Sequence, residues 1–137
     1  MVLTGAPIIV HGCHCRICQR MSGSAFAVNA LIESDRLSLL GETGSEPVHT
    51  PSALPEGRVA QRCPRCRVAL WTHPARLGTA LAAVHTGSLD EGDRLAPDVH
   101  CFTATKQSSQ RLERRSDRPA VPRSCVRSVG DHPDGSR

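Results

Sequence analysis

Residues 13–18, CHCRIC, and residues 63–66, CPRC, hold five of the seven cysteines of this 137-residue chain. Two cysteines separated by two residues wrap a tight turn that places both sulfurs on one tetrahedral metal ion, about 2.3 Å from zinc. Backbone amides in such a turn point at the thiolates and offset part of their charge. The presence of two such elements in one chain therefore predicts zinc binding.

Two other roles for these cysteines fit their surroundings less well. Inert core cysteines would lie in apolar runs, whereas these lie among Arg, His and Gln. A redox dithiol needs a single Cys-x-x-Cys element rather than two. Metal binding remains the role that the pattern favours.

Spacing alone leaves open how the sulfurs are shared. One arrangement is a closed structural site made of four cysteines, with Cys13 left out: Cys15, Cys18, Cys63 and Cys66. The other places Cys13, Cys15 and Cys18 on one ion and leaves a coordination position open, as catalytic zinc sites do. The spacing favours the closed arrangement. Across the two arrangements, the chain is expected to bind one or two zinc ions.

The segments on either side of the cysteines are short and apolar, and Pro and Gly separate them. In residues 24–32 apolar side chains alternate, which is typical of a strand. Residues 41–57 are rich in Gly, Pro, Ser and Thr and predict a long surface loop, and at most one helical turn follows Cys18. The sequence therefore predicts a mostly β fold, with strands at residues 7–10, 24–32, 37–40, 58–62, 68–72, 79–86 and 100–105.

Most of the net charge of +4 lies near the C-terminus. Residues 1–107 hold 10 basic and 9 acidic side chains, whereas residues 108–137 hold 7 arginines and 4 acidic residues. This second segment is rich in Arg, Ser and Pro and has no aromatic ring to stack on bases, so nucleic acid is not an expected partner. We predict one domain over residues 1–107 and a disordered tail over residues 108–137.

Composition also limits the location and the core of the protein. No run of 18 apolar residues is present, so no membrane partner is expected, and no secretory signal is visible. We therefore expect a cytoplasmic protein, in which cysteines serve metal or redox chemistry more often than disulfides. Aromatic residues make up only 2% of the chain, so zinc is expected to help stabilise a thin core.

The remaining histidines and cysteines carry weaker expectations. His11 and His14 flank the first cysteine cluster and could orient a substrate or a metal ligand. Alternation in the last predicted strand sends His100 and Cys101 to opposite faces, and Cys101 is expected to be a small core residue.

The stretch CHCRICQRMSGSAFAVNALIE, residues 13–33, resembles the glutathione-dependent formaldehyde-activating enzymes, which are grouped with the centromere protein V domain. RCPRCRVALW, residues 62–71, resembles that family's second cysteine pair. HTGSLDEGDRLAPDVHCFTATKQ, residues 85–107, resembles its later Gly-x-Leu-Asp, Pro and His segment. Several motifs occur in the right order over about residues 5–107.

The resemblance implies a β-tent fold, in which small antiparallel sheets surround zinc. It also implies that Cys13, Cys15 and Cys18 form the site associated with activity, while Cys63 and Cys66 belong to a second, structural zinc. This implication reverses the preference that the spacing gave for one closed site.

The family's nominal reaction is that of a carbon–sulfur lyase, which joins glutathione to formaldehyde and gives S-hydroxymethylglutathione. The resemblance thus implies glutathione or another small thiol, and a small aldehyde, as partners. Gln19, Ser22 and Gly23 follow the cluster directly and are expected either to contact a carboxylate or amide of glutathione or simply to form a turn. The alternative is a non-catalytic zinc module or a degraded, inactive member of the family.

The chain departs from the family pattern in three places. Members usually begin with a further strand carrying Cys-x-Cys, which this chain lacks, so Cys63 and Cys66 are without two expected ligands. Arg67 stands where the family commonly has Gly, and a positive φ there would be costly for Arg. Beyond Lys106 and Gln107, the Arg/Ser segment replaces an apolar closing segment. A displaced start and a shifted reading frame would account for both altered edges.

Overall fold

The computed structural model describes residues 1–42, 44–51, 57–74, 77–112 and 126–127. Within these ranges the chain forms short strands, one α-helix and several single 3-10 turns. The helix, α1, spans Arg16–Ser22. The strands are β1 (Val2–Leu3), β2 (Ile9–Cys13), β3 (Ala27–Glu33), β4 (Leu37–Ser38), β5 (Glu46–Thr50), β6 (Arg58–Arg62), β7 (Ala69–Thr72), β8 (Leu81–His85), β9 (Val99–Cys101) and β10 (Val126–Arg127). The prediction of a mostly β fold is confirmed.

The strands form two sheets of unequal size. The larger has seven strands in the order β5-β6-β7-β8-β3-β2-β9, and the smaller has three in the order β10-β1-β4. Neighbouring strands are antiparallel with one exception, because β9 runs parallel to β2. The antiparallel sheets that the family resemblance implies are therefore present, together with one parallel pair.

The two faces of the larger sheet differ in chemistry. Cross-strand register aligns Val10, Ala30, Val84 and Trp71 on one face. These side chains join Leu3 of the smaller sheet in the main apolar cluster. Since successive residues of a strand point to opposite faces, the neighbouring row lies on the other face; it consists of His11, Asn29 and His85. The polar face is therefore opposite the core.

Three expectations about secondary structure are wrong in detail. The helix has seven residues rather than one turn, because Cys15 caps its start and Gly23 ends it at φ 61°. Residues 46–50 form β5 instead of part of a loop. The last predicted strand ends at Cys101, and a 3-10 turn over Thr103–Thr105 follows it.

Two predictions about the ends of the chain are affected by the range that the structure covers. Residues 113–125 and 128–137 of the predicted tail lie outside the described residues, so its disorder stays a prediction. Among the helices described, none is long and apolar enough to cross a membrane.

Candidate metal centre

The first cysteine cluster brings three sulfur atoms together. The Sγ atoms of Cys13, Cys15 and Cys18 all lie within 4.8 Å of one another. In the described part of the chain, this is the one group of three or more Cys, His, Asp or Glu side chains so placed. The three-cysteine arrangement, and not the closed one with Cys63 and Cys66, is the one that the fold assembles.

The end of β2 and the start of α1 position these sulfurs. Cys13 is the last residue of β2, and Cys15 is the N-cap of the helix. The Cys15 side chain accepts a hydrogen bond from the backbone N–H of Cys18, with 3.3 Å between N and Sγ. Because the cap bends the chain back, Cys18 in the first helical turn faces the end of the strand. Cys13 and Cys18 are only 5% and 4% exposed.

The two buried thiols of this cluster, Cys13 and Cys18, are hard to ionise in the absence of a cation. Contact with the Cys101 thiol, together with burial, raises the pKa of Cys13 to about 12. Contact with Cys13, followed by burial, raises the pKa of Cys18. Burial disfavours a thiolate unless a positive charge compensates it. A divalent cation provides that charge, and three sulfur donors suit a soft or borderline metal such as zinc. The residues therefore fit a metal ion.

The second cysteine pair forms a turn of its own. The N–H of Cys63 donates to the carbonyl of Val68, and the N–H of Arg67 donates to the carbonyl of Cys63, both at 2.9 Å. Amide hydrogen bonds from Cys66 and then from Arg65 lower the pKa of the Cys63 thiol. Cys63 is half-buried and Cys66 is exposed. Arg67 has φ 63°, the positive φ that is costly for any residue other than glycine.

The sequence analysis did not place two residues, Cys101 and Arg58, beside the cysteine cluster. The pairing of β2 with β9 puts Cys101 opposite Cys13, so Cys101 borders the first cysteine cluster rather than the main core. The Nη2 atom of Arg58 lies 3.9 Å from Sγ of Cys18 and 3.0 Å from Sδ of Met21. Neither residue has a motif that could have revealed this position, because each contact joins segments distant in the sequence.

The histidines beside the cluster have structural contacts. His14 is fully buried and stacks on Phe26 with 4.8 Å between ring centroids. Its Nε2 atom lies 3.0 Å from Nδ1 of His100. Burial, followed by the nearby His100 and Lys106, lowers the pKa of His14. His11 contacts Asn29 through Nε2 at 3.3 Å.

The three residues predicted to contact substrate lie on or just after α1. The side-chain amide of Gln19 donates to the carbonyls of His14 and Thr105, at 2.6 and 2.9 Å. The Ser22 hydroxyl donates to the Cys18 carbonyl at 2.8 Å, and Gly23 is the C-cap. These bonds explain the local turn, and the contact with a substrate stays a prediction.

Two open concavities flank α1. One, of about 520 Å³, is lined by Gln19 and Gly23. The other, of about 530 Å³, lies between the end of α1 and strands β6 to β8, and Ser22 lines it. Both have the size of small-molecule sites, which span about 300–1,000 Å³.

Comparison with known proteins gives one family match. The model of a family described as "Glutathione-dependent formaldehyde-activating enzyme" matches residues 1–105. The matched range contains both cysteine elements and every lining residue of the two concavities except Gln107. No curated protein matches the chain.

Proposed function

This chain belongs to the glutathione-dependent formaldehyde-activating enzyme family, and we propose that it is a zinc-dependent carbon–sulfur lyase. Its substrates would be glutathione, or another small thiol, and formaldehyde or a similar aldehyde. The observation that carries the proposal is the cluster of Cys13, Cys15 and Cys18, with sulfurs mutually within 4.8 Å.

The three cysteines are the proposed zinc ligands. A zinc ion with three protein ligands supplies an open position that favours the ionised form of a thiol. Cys13 and Cys18 are buried and Cys15 is more exposed, so a substrate would reach the cluster on the side of Cys15. Since a free thiol of ordinary pKa is largely protonated at neutral pH, this help with ionisation is what the reaction requires.

The chemistry itself is an addition. A bond forms between the thiol sulfur and the carbon of formaldehyde, and the thiol proton ends on the oxygen of the new hydroxyl group. Arg58 brings a positive charge beside the cluster, with Nη2 at 3.9 Å from Sγ of Cys18. Its charge would stabilise the negative charge that moves from sulfur to oxygen during the addition.

A second zinc ion at Cys63 and Cys66 is a separate proposal. The lowered pKa of Cys63 favours a thiolate, and the turn directs amides toward it. These two sulfurs are only half of a structural site, so we expect this ion to bind more weakly than the one at Cys13, Cys15 and Cys18. Both sites need reduced cysteines, which supports a cytoplasmic location.

A non-catalytic zinc module is the second candidate. It is favoured by the hydrogen bonds of Gln19 and Ser22, which are made to the chain's own backbone. In that case zinc would hold β2 to α1 and take no part in turnover.

Zinc content and turnover, measured together, test these proposals. We expect the purified protein to hold one tightly bound zinc and to accelerate glutathione-dependent consumption of formaldehyde. Cys15→Ser should lose the tight zinc and the activity, whereas the matched change Cys63→Ser should keep both. A zinc-loaded protein that consumes formaldehyde no faster than glutathione alone would reject the lyase and leave the zinc module.

A further inference from the structure

Four basic side chains gather on the polar face of the larger sheet. His11 and His85 lie in one cross-strand row, on either side of Asn29. Arg58 and Arg62 come from the two ends of β6. All four interact electrostatically: burial, then Arg58, Arg62 and His11, lower the pKa of His85 to about 4. The two arginines therefore give this face a positive potential, and the lowered pKa keeps His85 neutral beside them.

Each of three of these side chains has one unpartnered buried nitrogen, although Arg62 Nη1 donates to the Arg67 carbonyl at 2.9 Å and Arg58 Nη2 contacts the sulfurs of Cys18 and Met21. The buried Nε atoms of Arg58 and Arg62, and Nε2 of His85, have no hydrogen-bond partner. In the described part of the chain, only two other side-chain nitrogen or oxygen atoms are buried without a hydrogen-bond partner: His14 Nδ1 and Ser34 Oγ. The ion pairs of the described residues involve other arginines: Arg36, Arg67 and Arg94. Because unpaired buried donors are costly, their concentration here indicates a place for an anion.

A cavity reaches two of these residues, Arg62 and His85. Arg62 and His85 line the concavity of about 530 Å³, together with the hydroxyl-bearing Ser22 and Ser88. Phe26 and Val68 form an apolar part of its wall. A few polar groups on a partly apolar wall are typical of a small-molecule site.

The same cavity reaches the end of the helix that carries Cys18. Ser22 and Met21 line it from α1, one helical turn beyond Cys18. Arg58 contacts both Met21 and Cys18. A molecule with its anionic end at Arg62 and His85 would therefore extend along α1 toward the three sulfurs.

We propose that Arg62 and His85 bind a carboxylate of the thiol substrate, with Arg58 completing the positive wall on the side of Cys18. Arg62 keeps Nη1 on the Arg67 carbonyl, so its charge and remaining N–H groups would hold the carboxylate, and a neutral imidazole at His85 can donate one hydrogen bond. This inference rests on the proposed function, and it deepens it by predicting that acidic thiols are preferred over neutral ones.

Binding of S-methylglutathione to the zinc-loaded protein tests the proposal, measured by calorimetry. This molecule keeps both carboxylates of glutathione but has no free thiol, so its binding does not depend on turnover. We expect Arg62→Gln to weaken binding about tenfold or more and His85→Gln about threefold, in keeping with the strength of charge-assisted hydrogen bonds. Arg62→Lys, which keeps the charge at the same site, should fall between Arg62→Gln and the wild type.

Two further variants make the result specific. Arg111→Gln removes an exposed charge outside both concavities, and it should change binding less than twofold. Arg20→Gln removes a charge from the concavity on the other side of α1. If Arg20→Gln weakens binding and Arg62→Gln does not, the carboxylate binds on that other side and the proposal is wrong.

Altered ligands distinguish the sources of the anion. The dimethyl ester of S-methylglutathione should bind at least tenfold more weakly than the diacid, and equal binding would overturn the proposal. Inorganic phosphate that binds more tightly than S-methylglutathione would indicate a phosphate site and would also overturn it. Arg62-dependent binding without formaldehyde consumption would reject the lyase yet keep the carboxylate site, so the two failures are distinguishable.

Discussion

The Nη2 atom of Arg58, on β6, lies 3.9 Å from the Sγ atom of Cys18, in α1. Three thiolates on a divalent zinc ion carry a net charge of −1, and a guanidinium at this distance offsets part of it. The contact joins the proposed metal site to β6, whose other end carries Arg62 in the neighbouring cavity. It would place the charge of Arg58 beside a metal bound by the three cysteines.

Replacing Arg58 should therefore weaken zinc binding. We expect Arg58→Gln to lower zinc affinity about tenfold, within the range typical for residues next to metal ligands. Arg58→Lys should retain most of the affinity because it keeps the charge. Competition with a chromophoric chelator measures the effect, and equal affinities for the Gln variant and the wild type would show that this charge does not support the metal.

Gly12 is a position where any side chain would disturb the cluster. A Cβ atom there would lie 2.6 Å from Nδ1 of His100 and 3.3 Å from Phe26. We expect Gly12→Ala to reduce the free energy of unfolding by about 1–3 kcal/mol, as overpacking does. At Gly87 an added Cβ meets no atom within 4 Å, so Gly87→Ala is the matched control. Chemical denaturation that ranks the two variants equally would contradict the clash.

Arg67 carries backbone strain in the turn of the second cysteine pair. Its φ of 63° costs about 1–2 kcal/mol for a residue with a Cβ atom, although glycine also gains entropy when unfolded. Arg67→Gly and Arg67→Ala both remove the exposed ion pair with Glu46. We therefore expect the free energy of unfolding of the Gly variant to exceed that of the Ala variant by about 1 kcal/mol. Equal stabilities in urea would show that the turn is unstrained.

Acid should destabilise the protein through His85. Burial, Arg58, Arg62 and His11 hold its pKa at about 4, below the usual 6.5, so the unfolded chain binds more protons between these pH values. Stability from this group is thus complete above pH 6.5 and is lost as the pH falls toward 4, by about 3 kcal/mol in all. His85→Gln should flatten the pH dependence of the unfolding free energy over this range.

An exposed histidine provides the control for this pH dependence. His49 lies on β5 and its side chain is exposed, so His49→Gln should keep the slope of the wild type. If both variants lose stability with falling pH exactly as much as the wild type does, His85 does not carry the effect.

The sequence predicts an element accurately where residues close in the sequence define its ends or its period. Strand 58–62 has the predicted bounds because turn residues end it on both sides. β5 was missed since Pro47 and its polar neighbours look like a loop; Pro is tolerated there because β5 is an edge strand. α1 was missed since seven residues are too few for a helical period to be visible.

The cysteine cluster is the part of the site that the sequence by itself determined. Cys13, Cys15 and Cys18 lie within six residues, so a strand end, a cap and one helical turn suffice to bring their sulfurs together. The sequence left open whether Cys63 and Cys66 share that ion, because 44 residues separate the two elements. Over such a distance, spacing along the chain does not determine whether two elements meet in space.

The surroundings of the cluster were decided by tertiary structure alone. Cys101 borders Cys13 only because β9 pairs parallel to β2, and Arg58 reaches Cys18 across 40 residues. Arg62 and His85 line one cavity because β7 places β6 and β8 in the same sheet. Strand order and register set these contacts, and they depend on how all seven strands bury their apolar face together. The three proposed metal ligands are thus locally encoded, whereas the charges around them are a product of the assembled sheet.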